Sequence, residues 1–345
     1  MSVEARAFIC GCNGKTLSAD ERDLFRKTRP WGLILFKRNV EDRSQLIRLI
    51  QDFRDIVGRE DAPVLIDQEG GRVQRMGPPH WRKYPPAGAF VAAGSPDKAG
   101  NLDKTAELIH LSARLMAADL YEVGINVDCL PVLDVPEKGA HQIIGDRAYA
   151  DNPGDVARFG RAACEGMLAG SVLPVIKHMP GHGRARADSH LELPVVATPL
   201  AELERTDFAP FRALADMPLA MSAHVVYAAI DPDRPATVSP KVIRDIVRGH
   251  IGFGGLLMSD DLSMKALKGS FTEKTTALFG AGLDLALHCF GEISDGYEVA
   301  AASPVLDGTR LERAERALAM ISAKPAAFDP VDAWSRIESG LAMTA

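Results

Sequence analysis

The sequence predicts an α/β fold, a single (β/α)8 barrel in which eight parallel strands are surrounded by helices. Eight short apolar segments recur along the 345 residues, and stretches with helical spacing of apolar residues lie between them. The segments are too uniformly apolar for a sheet with one face in water, which indicates strands buried on both faces. Eight strand–helix units in this length are what such a barrel requires.

The eight predicted strands are rich in aliphatic and β-branched residues, and nearly all end in polar or charged residues. They are residues 5–12, 31–38, 62–69, 124–135, 171–178, 218–225, 254–261 and 282–289. The alternative is an open, doubly wound sheet. This alternative is disfavoured because no GxGxxG motif follows the first segment. In addition, polar residues end nearly every strand, whereas an open sheet would place them at one switch point.

The predicted helices carry apolar residues three and four positions apart. Ser18 and Glu21 have the spacing of a capping box and predict a helix that runs to about Lys27. Further helices are predicted at residues 44–57, 106–124, 155–170, 239–252 and 311–323. No linker rich in Pro, Gly or Ser separates a second domain, so residues 1–345 are expected to form one domain with a terminal helix after about residue 325.

The composition restricts the class of partner. The net charge is −6 and the basic residues are scattered, so neither nucleic acid nor an anionic membrane is expected as a partner. No apolar run approaches the roughly 18 residues of a membrane span, and the amino terminus does not resemble a signal peptide. The five cysteines are interpreted as reduced, buried thiols. We therefore expect a cytoplasmic protein, and we expect it to be a monomer.

The active site of a (β/α)8 barrel lies at the carboxyl ends of its strands. Ionisable residues end almost every predicted strand of this chain: Lys37, Arg38, Asp67, Glu69, Asp134, Lys177, His178, His224, Asp260, Asp261 and His288. Such a ring of titratable groups at one rim predicts an enzyme. One aspartate of the pair at 260–261 would also suit the start of a following helix, and Asp261 is the expected cap.

The segment after the fifth strand reads KHMPGHGRARADSHLELP, at residues 177–194. Long connections of this kind are usually functional or disordered. In extended backbone Asp188 and His190 point to the same side, so the carboxylate could orient the imidazole as in a general acid/base pair. Arg184 and Arg186 are interpreted as facing solvent or meeting an acidic peptide on the substrate.

A metal site is the alternative interpretation of the same segment. His178, His182 and His190 could bind a metal ion together with Asp260, as in metal-dependent barrel hydrolases. This alternative is disfavoured because the usual HxH pair at the end of the first strand is absent. We therefore expect neither a metal nor any other cofactor.

The segment at 177–194 resembles the KHFPGHG…DSH…LP signature of glycoside hydrolase family 3 β-N-acetylglucosaminidases. DQEGGRVQR at 67–75 resembles the sugar-binding strand end of that family, and GGLLMSDDLSM at 254–264 resembles its nucleophile strand. IIGDRAY at 143–149 and RPATVSP at 234–240 also fit, so the resemblance runs in order from about residue 31 to 290. Members of this kind include cytosolic cell-wall recycling enzymes of Gram-negative bacteria.

The resemblance implies a role for each matching residue. Asp260 would be the nucleophile that attacks the anomeric carbon, and His190, with Asp188 as its partner, would be the acid/base group. Four further residues would bind the hydroxyls of N-acetylglucosamine: Asp67, Arg147, Lys177 and His178.

These roles imply a retaining exo-β-N-acetylglucosaminidase that acts on a small carbohydrate. The implied substrate is N-acetylglucosamine β-1,4-linked to anhydro-N-acetylmuramic acid, with or without its peptide. One alternative is a phosphorylase, because a histidine donor removes one negative charge near the anomeric centre and phosphate could then replace water. Another is a barrel that binds sugar without turnover.

Overall fold

The computed structural model describes residues 4–93, 99–137, 139, 142–185, 192–289, 291–321 and 324–342. Eight parallel strands close into a barrel in the order of the chain. They are β1 (Arg6–Gly11), β2 (Pro30–Leu35), β3 (Val64–Ile66), β4 (Val127–Asp128), β5 (Leu173–Met179), β6 (Leu219–Ser222), β7 (Leu256–Asp261) and β8 (Leu285–His288). The pairing of β8 with β1, where Cys10 lies opposite His288, closes the ring. The predicted (β/α)8 fold is confirmed, and every strand overlaps its predicted segment.

The helices surround the barrel. They are α1 (Ala19–Thr28), α2 (Arg43–Val57), α3 (Ala87–Ala93), α4 (Ala99–Val123), α5 (Pro153–Ala169), α6 (Leu200–Arg205), α7 (Ala209–Ala213), α8 (Phe271–Ala281), α9 (Ile293–Ala302), α10 (Gly308–Leu318) and α11 (Pro330–Ala342). The helix predicted at 239–252 is present as Val242–His250, but it is wound as a π-helix. Within the described residues, short 3-10 helices occur at Lys37–Asn39, Gly145–Arg147 and Ala236–Val238.

Two apolar layers hold the barrel together, one on each face of the strands. Because side chains alternate along a strand, Phe8 joins a cluster with helix residues such as Phe25 and Phe53, whereas Ile9 joins a cluster made mainly of strand residues. Phe25 of α1 and Phe53 of α2 meet edge to face, with ring centroids 5.4 Å apart. The second layer fills the barrel interior, which leaves only the carboxyl ends of the strands for a site.

Two further features concern the outer helices. Helix α11 packs against α4, and the ring of Trp334 meets Tyr84 edge to face at 5.9 Å. Within the described part of the chain, no helix is both long enough and apolar enough to cross a membrane.

The amino end of α1 is the clearest local match between sequence and structure. The Ser18 hydroxyl accepts a hydrogen bond from the Glu21 amide (3.2 Å), and the Glu21 carboxylate accepts one from the Ser18 amide (2.7 Å). The same carboxylate also accepts a bond from the Asn13 amide at 2.7 Å. The predicted capping box is therefore present, and it also fixes the loop after β1.

Replacing Ser18 by alanine should lower the free energy of unfolding by about 1 kcal/mol, because the Glu21 amide loses its acceptor. Urea unfolding followed by circular dichroism measures the change. Ser18→Thr keeps the hydroxyl and should stay within a few tenths of a kcal/mol of the wild type. An unchanged midpoint in the alanine variant would show that this cap does not stabilise the fold.

Candidate active site

A pocket of about 230 Å³ opens at the carboxyl ends of the strands. This volume lies below the range of about 300–1,000 Å³ that is typical of drug-sized ligands, so the pocket suits a small ligand. Its ionisable lining residues are Asp67, Glu69, Arg72, Arg75, Arg147, Lys177, His178, Asp260 and Asp261. Five of the seven predicted site residues are therefore brought together: Asp67, Arg147, Lys177, His178 and Asp260.

The floor of the pocket is built around the ammonium group of Lys177. This side chain lies on β5 and is only 2% exposed, and a lysine this buried requires counter-charges. Its Nζ lies 2.9 Å from Asp67 Oδ1 and 2.6 Å from Glu69 Oε1. Burial alone would lower the pKa of Lys177, but the two carboxylates outweigh burial and hold the pKa above its ordinary value. Lys177 is therefore charged.

The two carboxylates are ionised for the same electrostatic reason. Burial would raise the pKa of Asp67, but Lys177 and Arg75 hold it well below its ordinary value. Burial acts in the same direction on Glu69, and Lys177 and Arg147 lower its pKa to about 2. Two carboxylates thus face three cations, which leaves this cluster with an excess of one positive charge and many hydrogen-bond donors.

Arg147 approaches the cluster from the 3-10 helix Gly145–Arg147. Its guanidinium forms a bidentate pair with Glu69, with distances of 2.8 Å from Nε to Oε2 and 2.9 Å from Nη2 to Oε1. Such a fork fixes the orientation of both groups. Asp146, the neighbour of Arg147 in the sequence, pairs with Arg72 instead, at 3.1 Å.

Arg75 and Glu69 are site residues to which the sequence analysis assigned no role. Arg75 Nη2 lies 3.0 Å from Asp67 Oδ2, so it binds the same carboxylate as Lys177. A short antiparallel hairpin, Gln68–Gly70 with Val73–Gln74, folds Arg75 back towards Asp67. The turn requires Gly70, which has a φ of +87° and no room for a Cβ, since one would lie 2.2 Å from the Pro85 carbonyl oxygen.

His178 is oriented by a carboxylate that the sequence analysis placed only in the ring of strand ends. Asp134 Oδ2 lies 2.7 Å from His178 Nδ1, and Asp134 Oδ1 accepts hydrogen bonds from the His178 and His182 amides at 3.2 and 2.6 Å. Burial would raise the pKa of Asp134, but His178 outweighs it and keeps the pKa below its ordinary value. An acceptor at Nδ1 fixes the ring and its tautomer, which makes Nε2 the atom available to a ligand.

The neighbouring aspartates at the end of β7 have different environments. Asp260 lines the pocket, and its Oδ1 accepts a hydrogen bond from the Asp261 amide at 2.8 Å. Asp261 Oδ1 accepts bonds from the Ser263 and Cys289 amides at 3.1 and 3.0 Å, and its Oδ2 accepts one from the Ser263 hydroxyl. The expectation that Asp261 caps a helix is wrong, because turns follow β7 and the next helix has Ser270 as its cap. Asp261 instead ties the end of β7 to β8.

Several other members of the predicted ring stabilise the rim and do not line the pocket. Arg38 donates to the carbonyl oxygens of Cys12 (3.0 Å) and Cys289 (2.7 Å). His224 is buried between the Thr237 hydroxyl (2.8 Å) and the Asp261 carbonyl oxygen (3.1 Å), and burial lowers its pKa. The titratable ring therefore overstates the number of groups that can meet a ligand.

The predicted acid/base pair, Asp188 and His190, lies outside the described residues. His182, the third histidine of the same segment, is buried, and burial lowers its pKa to about 4. Among the residues that the structure describes, no group of three His, Cys, Asp or Glu side chains could hold a metal ion. A ligand set that includes His190 is not covered by that finding.

The charge cluster generates a prediction about acid stability. The carboxyl of Glu69 has an ordinary pKa of 4.5 and a folded-state pKa of about 2. Its contribution to stability is complete above pH 4.5 and is lost as the pH falls towards 2. The Tm of Glu69→Gln should therefore fall less steeply than that of the wild type between about pH 5 and about pH 3, although the variant is less stable at neutral pH.

Differential scanning calorimetry across this pH range measures both slopes. Glu312→Gln, on the exposed surface of α10, removes the same charge outside the cluster and should retain the wild-type slope. A Glu69→Gln slope equal to that of the wild type would contradict the assigned electrostatics.

The chain matches known proteins over almost its whole length. Residues 7–317 match the family model described as the glycosyl hydrolase family 3 N terminal domain. A β-hexosaminidase from Tolumonas auensis is 37% identical over 338 residues, which is 96% of this chain and 92% of that protein. NagZ from Neisseria gonorrhoeae, solved in complex with N-trifluoroacetyl-D-glucosamine, superposes with a TM-score of 0.85 at 29% identity and covers 99% of both chains.

A second structure of the Neisseria gonorrhoeae NagZ was solved in complex with a zinc ion, with a TM-score of 0.82 and 28% identity over 99% of this chain and 98% of that one. The match to the family model covers far more than half of the chain. The barrel, its mouth of ionised groups and these relatives agree, and the chain belongs to glycoside hydrolase family 3.

Proposed function

We propose that this glycoside hydrolase is a retaining, exo-acting β-N-acetylglucosaminidase. The observation that carries the proposal is the pocket itself, in which the Asp260 carboxylate and the Lys177 charge cluster line a space of about 230 Å³. A pocket of this size suits one terminal sugar, which is what an exo-acting enzyme binds. The β-hexosaminidase relative and the N-trifluoroacetyl-D-glucosamine bound to NagZ support N-acetylglucosamine, the natural N-acylated counterpart, as that sugar.

Hydroxyl recognition is assigned to the pocket floor. Asp67, directly after β3, and Lys177, on β5, offer an ionised acceptor and an ionised donor 2.9 Å apart, as sugar hydroxyls require. Arg147 keeps two N–H groups beyond those that bind Glu69 and the Ile143 carbonyl oxygen. His178 contributes Nε2, because Asp134 occupies Nδ1.

The proposed reaction takes two steps with retention of configuration. Asp260 attacks the anomeric carbon and forms the glycosyl ester while the bond to the leaving oxygen breaks, and His190 gives its proton to that oxygen. His190 then removes a proton from water, whose oxygen attacks the same carbon and releases Asp260. Asp188 is assigned to orient His190 and to favour its charged form.

The biological substrate is proposed as N-acetylglucosamine β-1,4-linked to anhydro-N-acetylmuramic acid, with or without peptide, in cytoplasmic cell-wall recycling. The motif match at 177–194 and the similarity to NagZ support this assignment. The proposal also includes one catalytic domain over residues 1–345, a monomeric state and no cofactor.

Hydrolysis of 4-nitrophenyl N-acetyl-β-glucosaminide tests the nucleophile. Asp260→Ala and Asp260→Asn should lower kcat by about 10³-fold or more, because neither residue can form the ester. Asp233→Asn, an exposed charge removal outside the pocket, should retain wild-type kcat. Activity in either Asp260 variant within tenfold of the wild type would overturn the assignment.

Adding EDTA to the same assay separates the metal hypothesis from the proposed mechanism. Release of 4-nitrophenol should be unchanged by the chelator, since no step of the proposed mechanism uses a metal. The arm is informative because a related NagZ was solved with zinc. Loss of wild-type turnover on chelation, with recovery on added zinc, would favour a metal-dependent hydrolase.

Phosphate in the assay tests the phosphorylase alternative. A hydrolase should release free N-acetylglucosamine at a rate that does not depend on phosphate concentration. Formation of N-acetylglucosamine 1-phosphate as the main product would show that phosphate replaces water in the second step.

The anomeric configuration of the product tests retention. Proton NMR of the first-formed sugar should reveal the β-anomer, and the α-anomer would contradict retention.

A further inference from the structure

Arg184 is a buried cation close in sequence to the predicted acid/base pair. Its side chain is only 10% exposed, so the expectation that it faces solvent is wrong. The guanidinium instead contacts acidic and hydroxyl groups from two other segments of the chain. It therefore acts within the protein, four residues before Asp188 and six before His190.

The contacts of Arg184 form a clamp. Nε lies 2.7 Å from Asp207 Oδ2, and Nη1 lies 2.8 Å from Glu137 and 2.9 Å from Glu202. Nη2 donates to the Thr206 hydroxyl at 3.0 Å. All three nitrogens of the planar fork are thus used, which sets the orientation of the group as well as its position.

The backbone beside the clamp is also fixed. A Cβ on Gly183 would lie 1.9 Å from the carbonyl oxygen of Val135, so the backbone at Gly183 is in close contact with the backbone at Val135. The Glu137 amide donates to the Gly183 carbonyl oxygen at 3.1 Å, and the Tyr227 hydroxyl donates to that of Gly181. Residues 181–185 therefore have one defined path.

The far end of the segment is held by different contacts. The Val226 amide donates to the Pro194 carbonyl oxygen at 2.9 Å, and Val195–Val196 pairs with Val226–Tyr227 in a small parallel sheet. On the Arg184 side a cleft of about 620 Å³ lies beside the guanidinium. Because this cleft leaves one side of the guanidinium without packing, the ion pairs of Arg184 add to the backbone contacts that hold the amino-terminal anchor.

We infer that Arg184 is a positioning residue for the acid/base pair, because its clamp on Asp207, Glu137 and Glu202 fixes the anchor from which residues 186–191 depart. The inference rests on the proposed function, since it requires His190 to be the proton donor. A misplacement of about 1 Å in a catalytic group can cost about 10²-fold in rate. A shift of the anchor should therefore reach the chemistry without any contact between Arg184 and substrate.

Two substrates with the same sugar and different leaving groups test the inference. 4-Nitrophenolate leaves with little protonation, whereas the second sugar of N,N′-diacetylchitobiose needs a proton. Arg184→Met should lower kcat/KM for diacetylchitobiose about 10-fold or more beyond its effect on the nitrophenyl substrate, because proton donation contributes about 10²–10⁴-fold. Arg184→Lys keeps the charge without the fork and should lie between Arg184→Met and the wild type.

Arg248→Met is the matched control. Arg248 is a partly buried guanidinium that contacts Asp284 at 2.8 Å and the carbonyl oxygens of Phe253 and Gly255, also at 2.8 Å. Its loss should lower Tm, but it should change kcat/KM for both substrates by the same factor. If Arg184→Met does not fold, Asp207→Asn removes one charge from the clamp with little change in shape and takes its place.

The outcomes distinguish the inference from the proposed function. His190→Ala should show the same leaving-group dependence, and azide should accelerate its turnover of the nitrophenyl substrate. If His190→Ala shows this pattern and the Arg184 variants lower both substrates equally, Arg184 is purely structural and the inference is overturned. If His190→Ala itself lacks the pattern, the proposed donor is wrong and the inference falls with it.

Discussion

The active-site mouth depends on one buried ammonium group. Lys177 is buried in strand β5, where burial alone would favour the neutral amine, and Asp67 and Glu69 supply the counter-charges that keep it ionised. Those carboxylates in turn hold Arg75 and Arg147, which come from different loops. The arrangement joins strands β3 and β5 and two connections into one hydrogen-bonded, charged surface. A surface of this kind can recognise hydroxyls without rearranging, because its donors and acceptors are already fixed.

Neighbouring residues at the carboxyl ends of the strands have different roles. Both Asp260 and Asp261 border the pocket, but Asp261 also accepts bonds that join β7 to the loop after it and to β8. Asp134 orients the His178 ring and also accepts a hydrogen bond from the His182 amide. One carboxylate therefore holds both the end of the strand and the start of the following segment. The ion pairs of Arg184 likewise restrain the backbone at the start of that segment. The pocket floor and the start of the segment after β5 are thus held by different sets of ion pairs.

Sequence patterns predicted the barrel and most of the pocket, and the reasons are local. Uniformly apolar runs marked all eight strands, and strand ends placed Asp67, Lys177 and Asp260 at one rim. Helix α8 was missed because its buried residues include Thr275 and Ala281, which give little apolar periodicity.

The sequence did not predict which charged side chains of the pocket pair with each other. The pairs of Glu69 with Arg147 and of Arg75 with Asp67 depend on a hairpin at Gly70 and on a 3-10 helix, which bring distant residues together. The central claim is that Asp260 attacks the sugar held by this surface. Incubating His190→Ala with the nitrophenyl substrate, digesting the quenched protein and sequencing its peptides by mass spectrometry tests the claim directly. The account predicts one N-acetylglucosaminyl residue on the peptide ending β7, at Asp260. An adduct on another carboxylate, or substrate turnover with no adduct, would contradict it.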